Sequence, residues 1–275
     1  NISMEGGELN AYGGRVELGG LAESGTIALD INADNFRLEF PENVTRADVS
    51  LTNQASVYVE ANGVGNIAVI ARNIEITGLS LLSAGIGDGL GISETVAGDI
   101  TLDATEKITI EGSGNQIRNR VSNPAVATLN KFLLTFIMPI SAGTISQEEV
   151  AEYQEEISEK IKKTDNNELN ELDINNEFGI NDTIINRTLD YVETETPING
   201  GNIIINAGSF KLGDGAQLST STYGQGNAGN VNVTVKDAVF LEGGDIFSTV
   251  ESRGVGEGGK IKINKATHKL QNGAQ

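Results

Sequence analysis

Carboxylates dominate the reactive side chains of this sequence: 38 Asp and Glu stand against 19 Lys and Arg, a net charge of −19, with one histidine and no cysteine. Carboxylate chemistry needs its acids gathered. A glycoside hydrolase pairs two across a groove, and a polysaccharide lyase clusters them, often around a metal ion, beside a Lys or Arg that draws off a proton. The chain offers only scattered acids such as Asp99 and Asp103, for which surface solvation is the simpler reading. His268 falls in an outward-reading run with Lys265 and Lys269, and without cysteine or a second histidine it completes no zinc site of the usual kind. Calcium is the ion the sequence comes nearest to holding. Asp173-Ile174-Asn175-Asn176-Glu177 sets oxygen side chains at alternate positions, but the turn glycine is displaced to Gly179 and no Glu closes the loop at position 12. The glycine-rich stretches lack the Lys and following helix that cradle phosphate. No residue is assigned a catalytic, cofactor-binding or metal-binding role, and the chain reads as a non-enzyme; calcium stays a minor alternative to a solvated acidic loop.

Two groups of polar residues suit structural work better. Asn66, Asp99, Asn202 and Asn230 each follow a glycine that opens a repeated unit. Stacked amides at one turn can hydrogen-bond along the stacking axis as a ladder. Ser219-Thr220-Ser221-Thr222 reads as a hydroxyl face open to sugars or surfaces, or more simply as the solvated outside of a strand.

The element that must carry these residues is a repeat. Gly201-Asn202-Ile203-Ile204-Ile205, Gly229-Asn230-Val231-Asn232-Val233 and Gly259-Lys260-Ile261-Lys262-Ile263 open three units, with the opening glycines 28 and 30 residues apart. Earlier, Gly65-Asn66-Ile67-Ala68-Val69 and Gly98-Asp99-Ile100-Thr101-Leu102 open units 33 residues apart, lengthened by a glycine-rich turn over Gly85–Gly91. A fixed period in this range marks a solenoid. Within a unit apolar and polar residues alternate, so one face of each short strand is apolar. A single such strand cannot bury that face; stacked on its equivalent in the next unit it can, with layers about 4.8 Å apart. The connections are too short for helical crossovers, which excludes an ordinary α/β sheet. The expectation is an all-β, right-handed parallel β-helix of about seven coils, some 30 Å long.

The repeat is interrupted. Residues 1–122 read as coils, 123–197 as an acidic, partly helical insertion, and 198–275 as coils again. From 147 to 195 there are fifteen acids and four bases, a net −11. A helix is predicted over about 147–163: Ser146 with Glu149 forms a capping box, Val150, Tyr153, Ile157 and Ile161 make one apolar stripe, and Lys160, Lys162 and Lys163 close the last turn. The apolar run from Leu129 to Ile140 is shorter than the roughly 20 residues that span a bilayer, so no transmembrane segment is expected. The negative balance argues against nucleic acid and anionic membrane as partners. Absence of cysteine fits a reducing cytoplasm or an exoprotein that stays unfolded before export. No signal peptide opens the sequence. Gly273-Ala274-Gln275 copies Gly215-Ala216-Gln217 and then stops, which reads as a fragment of a longer protein.

The run from Leu212-Gly213-Asp214-Gly215-Ala216-Gln217-Leu218 through Ser219-Thr220-Ser221-Thr222-Tyr223-Gly224 to Gly229-Asn230 resembles the filamentous haemagglutinin-like exoproteins of two-partner secretion, in the cyanobacterial style. Gly13-Gly14-Arg15-Val16-Glu17-Leu18-Gly19-Gly20 and Ala47-Asp48-Val49-Ser50-Leu51-Thr52-Asn53 carry the same likeness. The resemblance covers roughly residues 11–122 and 200–275. It implies a right-handed parallel β-helix, secreted or held at the outer membrane, exported through a dedicated pore partner. The secretion domain would lie just before or at the start of this chain. The implied role is adhesive or scaffolding, with loops displayed for attachment to a host cell, a neighbouring cell or a polysaccharide surface. The rival expectation is a polysaccharide lyase or hydrolase on the same fold. Three or more acids in one groove, with a Lys or Arg across neighbouring coils, would favour it.

Overall fold

The alternation of the repeat is realised as stacked, mostly parallel sheets. The computed structural model describes residues 1–32, 35–41, 44–87, 95–122, 198–224, 226–252, 254–264 and 268–271. Within them the chain is all β and holds no helix. Four units each supply one long and one short strand. They are β8 (Asn66–Ile76) with β9 (Leu81–Ile86), β10 (Ile100–Glu111) with β11 (Gln116–Val121), β12 (Ile203–Gly213) with β13 (Gln217–Thr222), and β14 (Val231–Glu242) with β15 (Asp245–Val250). Before them come β1 (Ile2–Glu5), β2 (Glu8–Asn10), β3 (Arg15–Gly19), β6 (Val49–Thr52) and β7 (Ser56–Tyr58); after them, β16 (Ile261–Asn264) and β17 (His268–Gln271). The first sheet runs β1-β6-β8-β10-β12-β14-β16 and the second β15-β13-β11-β9-β7-β2. From β6 to β16 consecutive strands therefore alternate between sheets, and every strand pair in both sheets is parallel. Seven strands along the first path, at about 4.8 Å spacing, extend about 29 Å.

Register puts like on like. Ile67, Ile100, Ile203 and Val231 occupy one column, Ile76, Ile110, Leu212 and Leu241 another, and Leu82, Ile117, Leu218 and Ile246 a third in the facing sheet. These twelve side chains are buried. Each fully buried Ile or Leu contributes about 1.5–3 kcal/mol, so the columns supply much of what holds the layers together.

The apolar stretch after each opening glycine continues into one long bent strand, so that Ile67–Val69 and Ile74–Ile76 are both parts of β8. Registers slip at the same place in each pairing among β8, β10, β12 and β14, between Ala104 and Lys107 in β10 and between Ala207 and Ser209 in β12. A bulge at that corner turns the strand while leaving both halves paired. In the neighbouring layers the halves are separate strands: β6 and β3 pair with the two halves of β8, and β16 and β17 with the two halves of β14.

The opening glycines answer to close packing rather than to turn conformation. A Cβ at Gly98 would land on the carbonyl oxygen of Gly65, one at Gly201 on that of Gly98, one at Gly229 on that of Gly201, and one at Gly259 on that of Gly229. No side chain fits where the backbones of successive layers approach so closely.

Three expectations are corrected. Gly85 and Ile86 belong to β9 rather than to a turn: Ile86 is buried, and Gly85 lies against the Arg120 backbone where a Cβ has no room. β4 (Ala28–Asn32) and β5 (Asn35–Glu39) pair antiparallel outside both main sheets, because Asn32 and Asn35 pair directly and the chain doubles back instead of advancing a layer. Ser219–Thr222 is no uniform hydroxyl face, since Thr220 and Thr222 are buried inside while Ser219 points the other way. The expected helix at 147–163, the apolar run 129–140, the calcium-like loop at 173–179 and the closing motif 273–275 lie outside the described residues. Across that interval β10 pairs directly with β12 and β11 with β13, so the layers before 123 and after 197 are immediate neighbours.

Candidate binding groove on the second sheet

The chemistry-bearing residues of the first sheet are taken up by structure. The amides after the opening glycines form the expected ladder. Asp99 N–H donates to Asn66 Oδ1 at 2.9 Å, and Asn202 donates to Asp99 Oδ1 from its backbone N at 2.7 Å and its Nδ2 at 3.0 Å. Asn230 donates to Asn202 Oδ1 from N at 3.0 Å and Nδ2 at 2.9 Å, and Lys260 N–H to Asn230 Oδ1 at 2.8 Å. A second, shorter ladder runs from Asn199 through Asn227 to Glu257. Asp103 pairs with Arg46 at 2.7 Å. Asp48 accepts from Nε and Nη2 of Arg72 at 2.9 and 2.6 Å, and Asn73 adds two further donors. The Arg72 hydrogen bond, aided by Asn73, holds the Asp48 carboxyl at about 2 despite partial burial. Lys211 sits between Glu111 and Glu242, whose hydrogen bonds raise its pKa, that of Glu111 foremost. His268 lies in β17 in register with Val239, and the outward orientation expected for its side chain lies outside the described residues. Among the described residues no group of three or more His, Cys, Asp or Glu is placed to hold a metal ion.

The second sheet leaves donors open to solvent. In β11, alternation sends Ile117, Asn119 and Val121 into the core and turns Gln116, Arg118 and Arg120 outward. In β13 Gln217 and Ser219 turn outward, Ser221 lies on the same side but is buried, and Tyr223 stands just beyond the strand. Register places Gln116 beside Gln217, Arg118 beside Ser219 and Arg120 beside Ser221. Together these side chains line a shallow groove of about 140 Å³.

The floor of the groove is tied down from inside. Asn119 Nδ2 donates to the Gly98 carbonyl at 2.6 Å, while Thr220 Oγ1 and Ser248 Oγ donate to the Gly229 carbonyl at 2.6 and 2.8 Å. These three residues share one register position, so inward-facing polar side chains of the second sheet, Asn119 and Thr220 fully buried, satisfy carbonyls of the glycine stack opposite.

One carboxylate arranges the two arginines. Arg118 Nε donates to Ser83 Oγ at 2.7 Å, and Ser83 Oγ donates to Glu60 Oε1. The Nη2 atoms of Arg118 and Arg120 lie 3.5 and 3.7 Å from the two oxygens of Glu60. The Arg120 guanidinium also stands 5.9 Å from the centre of the Tyr223 ring, within cation–π range. Two cations on one carboxylate leave a locally basic spot on a strongly acidic chain. Sequence reading passed over this site, although Gln116-Ile117-Arg118-Asn119-Arg120-Val121 carried the signal: two arginines two residues apart on one strand face.

Among the described residues no helix is long and apolar enough to cross a membrane. Comparison of the chain with protein-family models, curated proteins and solved structures gives no match.

Proposed function

We propose that this chain is a secreted or surface-held exoprotein of the filamentous haemagglutinin-like, two-partner secretion kind, working as an adhesin-like scaffold. In this reading the stacked sheets wind as a right-handed parallel β-helix that reaches the outside through an outer-membrane pore partner. The observation that carries it is the unbroken layer-on-layer register from β6 and β7 to β14 and β15, reinforced by the asparagine ladder and the glycine stack. Such a rod keeps its outward faces rigid and distant from whatever anchors it. Attachment to a host cell, a neighbouring cell or a polysaccharide surface then falls to side chains on those faces and to whatever the repeat carries between layers. No cofactor is invoked.

A lyase or hydrolase on the same fold would need several acids and a basic residue in one groove. The groove on the second sheet instead joins two arginines to the single carboxylate of Glu60, and display is the better-supported reading. The test is protease shaving of intact source cells. The protein should be digested from outside, and disruption of the pore gene should leave it inside. Full protection in cells with an intact pore would overturn the proposal.

A further inference from the structure

We infer that the groove along β11 and β13 binds a carboxylated polysaccharide, a polymer of uronic-acid units, with Arg118 and Arg120 receiving carboxylates and Tyr223 offering a stacking face to a sugar ring. The inference deepens the display reading and rests on it for the setting in which such a polymer is met.

The arginines are positioned without being used up. Both lie beyond the 2.7–2.9 Å or so of a charge-assisted hydrogen bond to Glu60, so that carboxylate orients the two guanidiniums while most of their N–H donors stay available. Arg118 Nε is held by Ser83 and Arg120 Nε is buried, which leaves the Nη donors of both arginines for a ligand. A planar fork of donors matches a carboxylate in a way a lysine does not. Two residues apart on one face, the arginines leave the strand about 6.6 Å apart and can take successive acidic groups or clamp one.

The rest of the lining is neutral and suited to hydroxyl groups. Ser219 and Ser221 stand in register with the arginines one strand away, and Gln116 and Gln217 close one end. Tyr223 is 42% exposed beside Arg120. On the next layer Asp245 is in register with Gln217, and Glu251 accepts from Thr249 at 2.9 Å. These acids repel an anionic chain from β15 and confine it to the arginine side. A nucleic acid, which binds through many phosphate contacts at once, finds only the two arginines of this groove. At physiological ionic strength screening acts within about 8 Å, so the arginines operate inside the groove while distant acids count for little.

The experiment measures binding of the full chain to immobilised polygalacturonate at physiological salt, with the methyl-esterified polymer and a single-stranded oligonucleotide as comparators. Wild type should bind the free-acid polymer and ignore the ester. Arg118→Gln with Arg120→Gln should weaken binding at least about tenfold. Arg118→Lys with Arg120→Lys should recover part of the loss, and Tyr223→Ala should cost several-fold. Polymer binding unchanged in the Gln double variant, no binding by wild type, equal binding of the ester, or tighter binding of the oligonucleotide each overturns the inference. If the double variant fails to fold, Tyr223→Ala and the ester comparison decide. Polymer binding by a protein that cells keep inside would sink the display reading and leave the groove assignment standing; the reverse pattern would do the opposite.

Discussion

Replacing Asn202 by alanine tests the ladder at its best-connected rung. The Asn202 side chain donates to Asp99 at 3.0 Å and accepts twice from Asn230, at 3.0 and 2.9 Å. Alanine removes all three bonds and leaves the backbone N–H of Asn230 without its acceptor. Two neutral hydrogen bonds are worth about 1 kcal/mol each and one to a carboxylate about 1.5 kcal/mol or more. Because the rung is half-buried, water replaces part of this, and the expected loss is about 2–3 kcal/mol. For a chain of this size that lowers Tm by roughly 5–10 °C. Urea unfolding followed by circular dichroism reads the total, and hydrogen exchange reads the place: the Asn230 amide should exchange faster while the Lys260 amide, held by Asn230 itself, changes less. Asp99→Asn, which keeps the acceptor oxygen, should cost much less. A loss under about 0.5 kcal/mol for Asn202→Ala, the level of an ordinary surface substitution, would refute the ladder as a structural element.

Gly229→Ala drives a methyl group into the Gly201 carbonyl and should destabilise by about 3 kcal/mol or more, whereas Gly14→Ala, whose Cβ would find its nearest atom at 3.4 Å, should be tolerated; denaturant midpoints compare the two. Phe210→Ala empties a fully buried site stacked between Ile108 and Val239 and should cost about 3–5 kcal/mol in the same assay. Asp48→Asn should show a pH signature. The folded carboxyl is depressed from 3.8 to about 2, so its contribution is complete above pH 4 and is lost as pH falls through 2. Solvent screening of this partly exposed pair limits the effect to about 1 kcal/mol, and the wild-type advantage seen at pH 6 should vanish at the acid end of that window; a difference independent of pH would count against the pairing.

What could be read from residues alone follows from which interactions are periodic. The Ile and Val columns and the ladder recur every 28 to 33 residues on either side of 123–197, so alternation and repetition exposed both in the sequence. Glycines were harder. Gly201 and Gly229 look like turn formers in sequence, but their reason is a carbonyl in the next layer, a contact with no local signature. Ser219 to Thr222 misled for a related cause: the interior between the stacked sheets also needs polar groups, and Thr220 is inside because the Gly229 carbonyl needs a donor there. The antiparallel β4–β5 pair breaks the periodicity and could not be inferred from it. The groove arises only when β11 and β13 are laid side by side, from residues that lie about 100 positions apart in the chain.

The ladder has a direction, and that direction bears on how layers assemble. In every rung the backbone N–H of the later layer donates to the side-chain oxygen of the earlier one: Asp99 to Asn66, Asn202 to Asp99, Asn230 to Asn202, Lys260 to Asn230. The shorter ladder obeys the same rule, Asn227 to Asn199 and Glu257 to Asn227. A finished layer thus presents an acceptor already placed for the amide that arrives next, beside an apolar column awaiting its next side chain. Growth from the amino-terminal side adds each unit to a complete template, while growth from the other side would order amides before their acceptors exist. Nearest-neighbour stacking of this kind lets folding propagate unit by unit, with a short connection to close at every step but the one from β11 to β12. Under the export reading, a chain emerging amino end first meets its own completed layers outside the pore. Each added layer then buries apolar surface that favours the next, and the ladder keeps every unit in the register that aligns Arg118 with Ser219 across the groove.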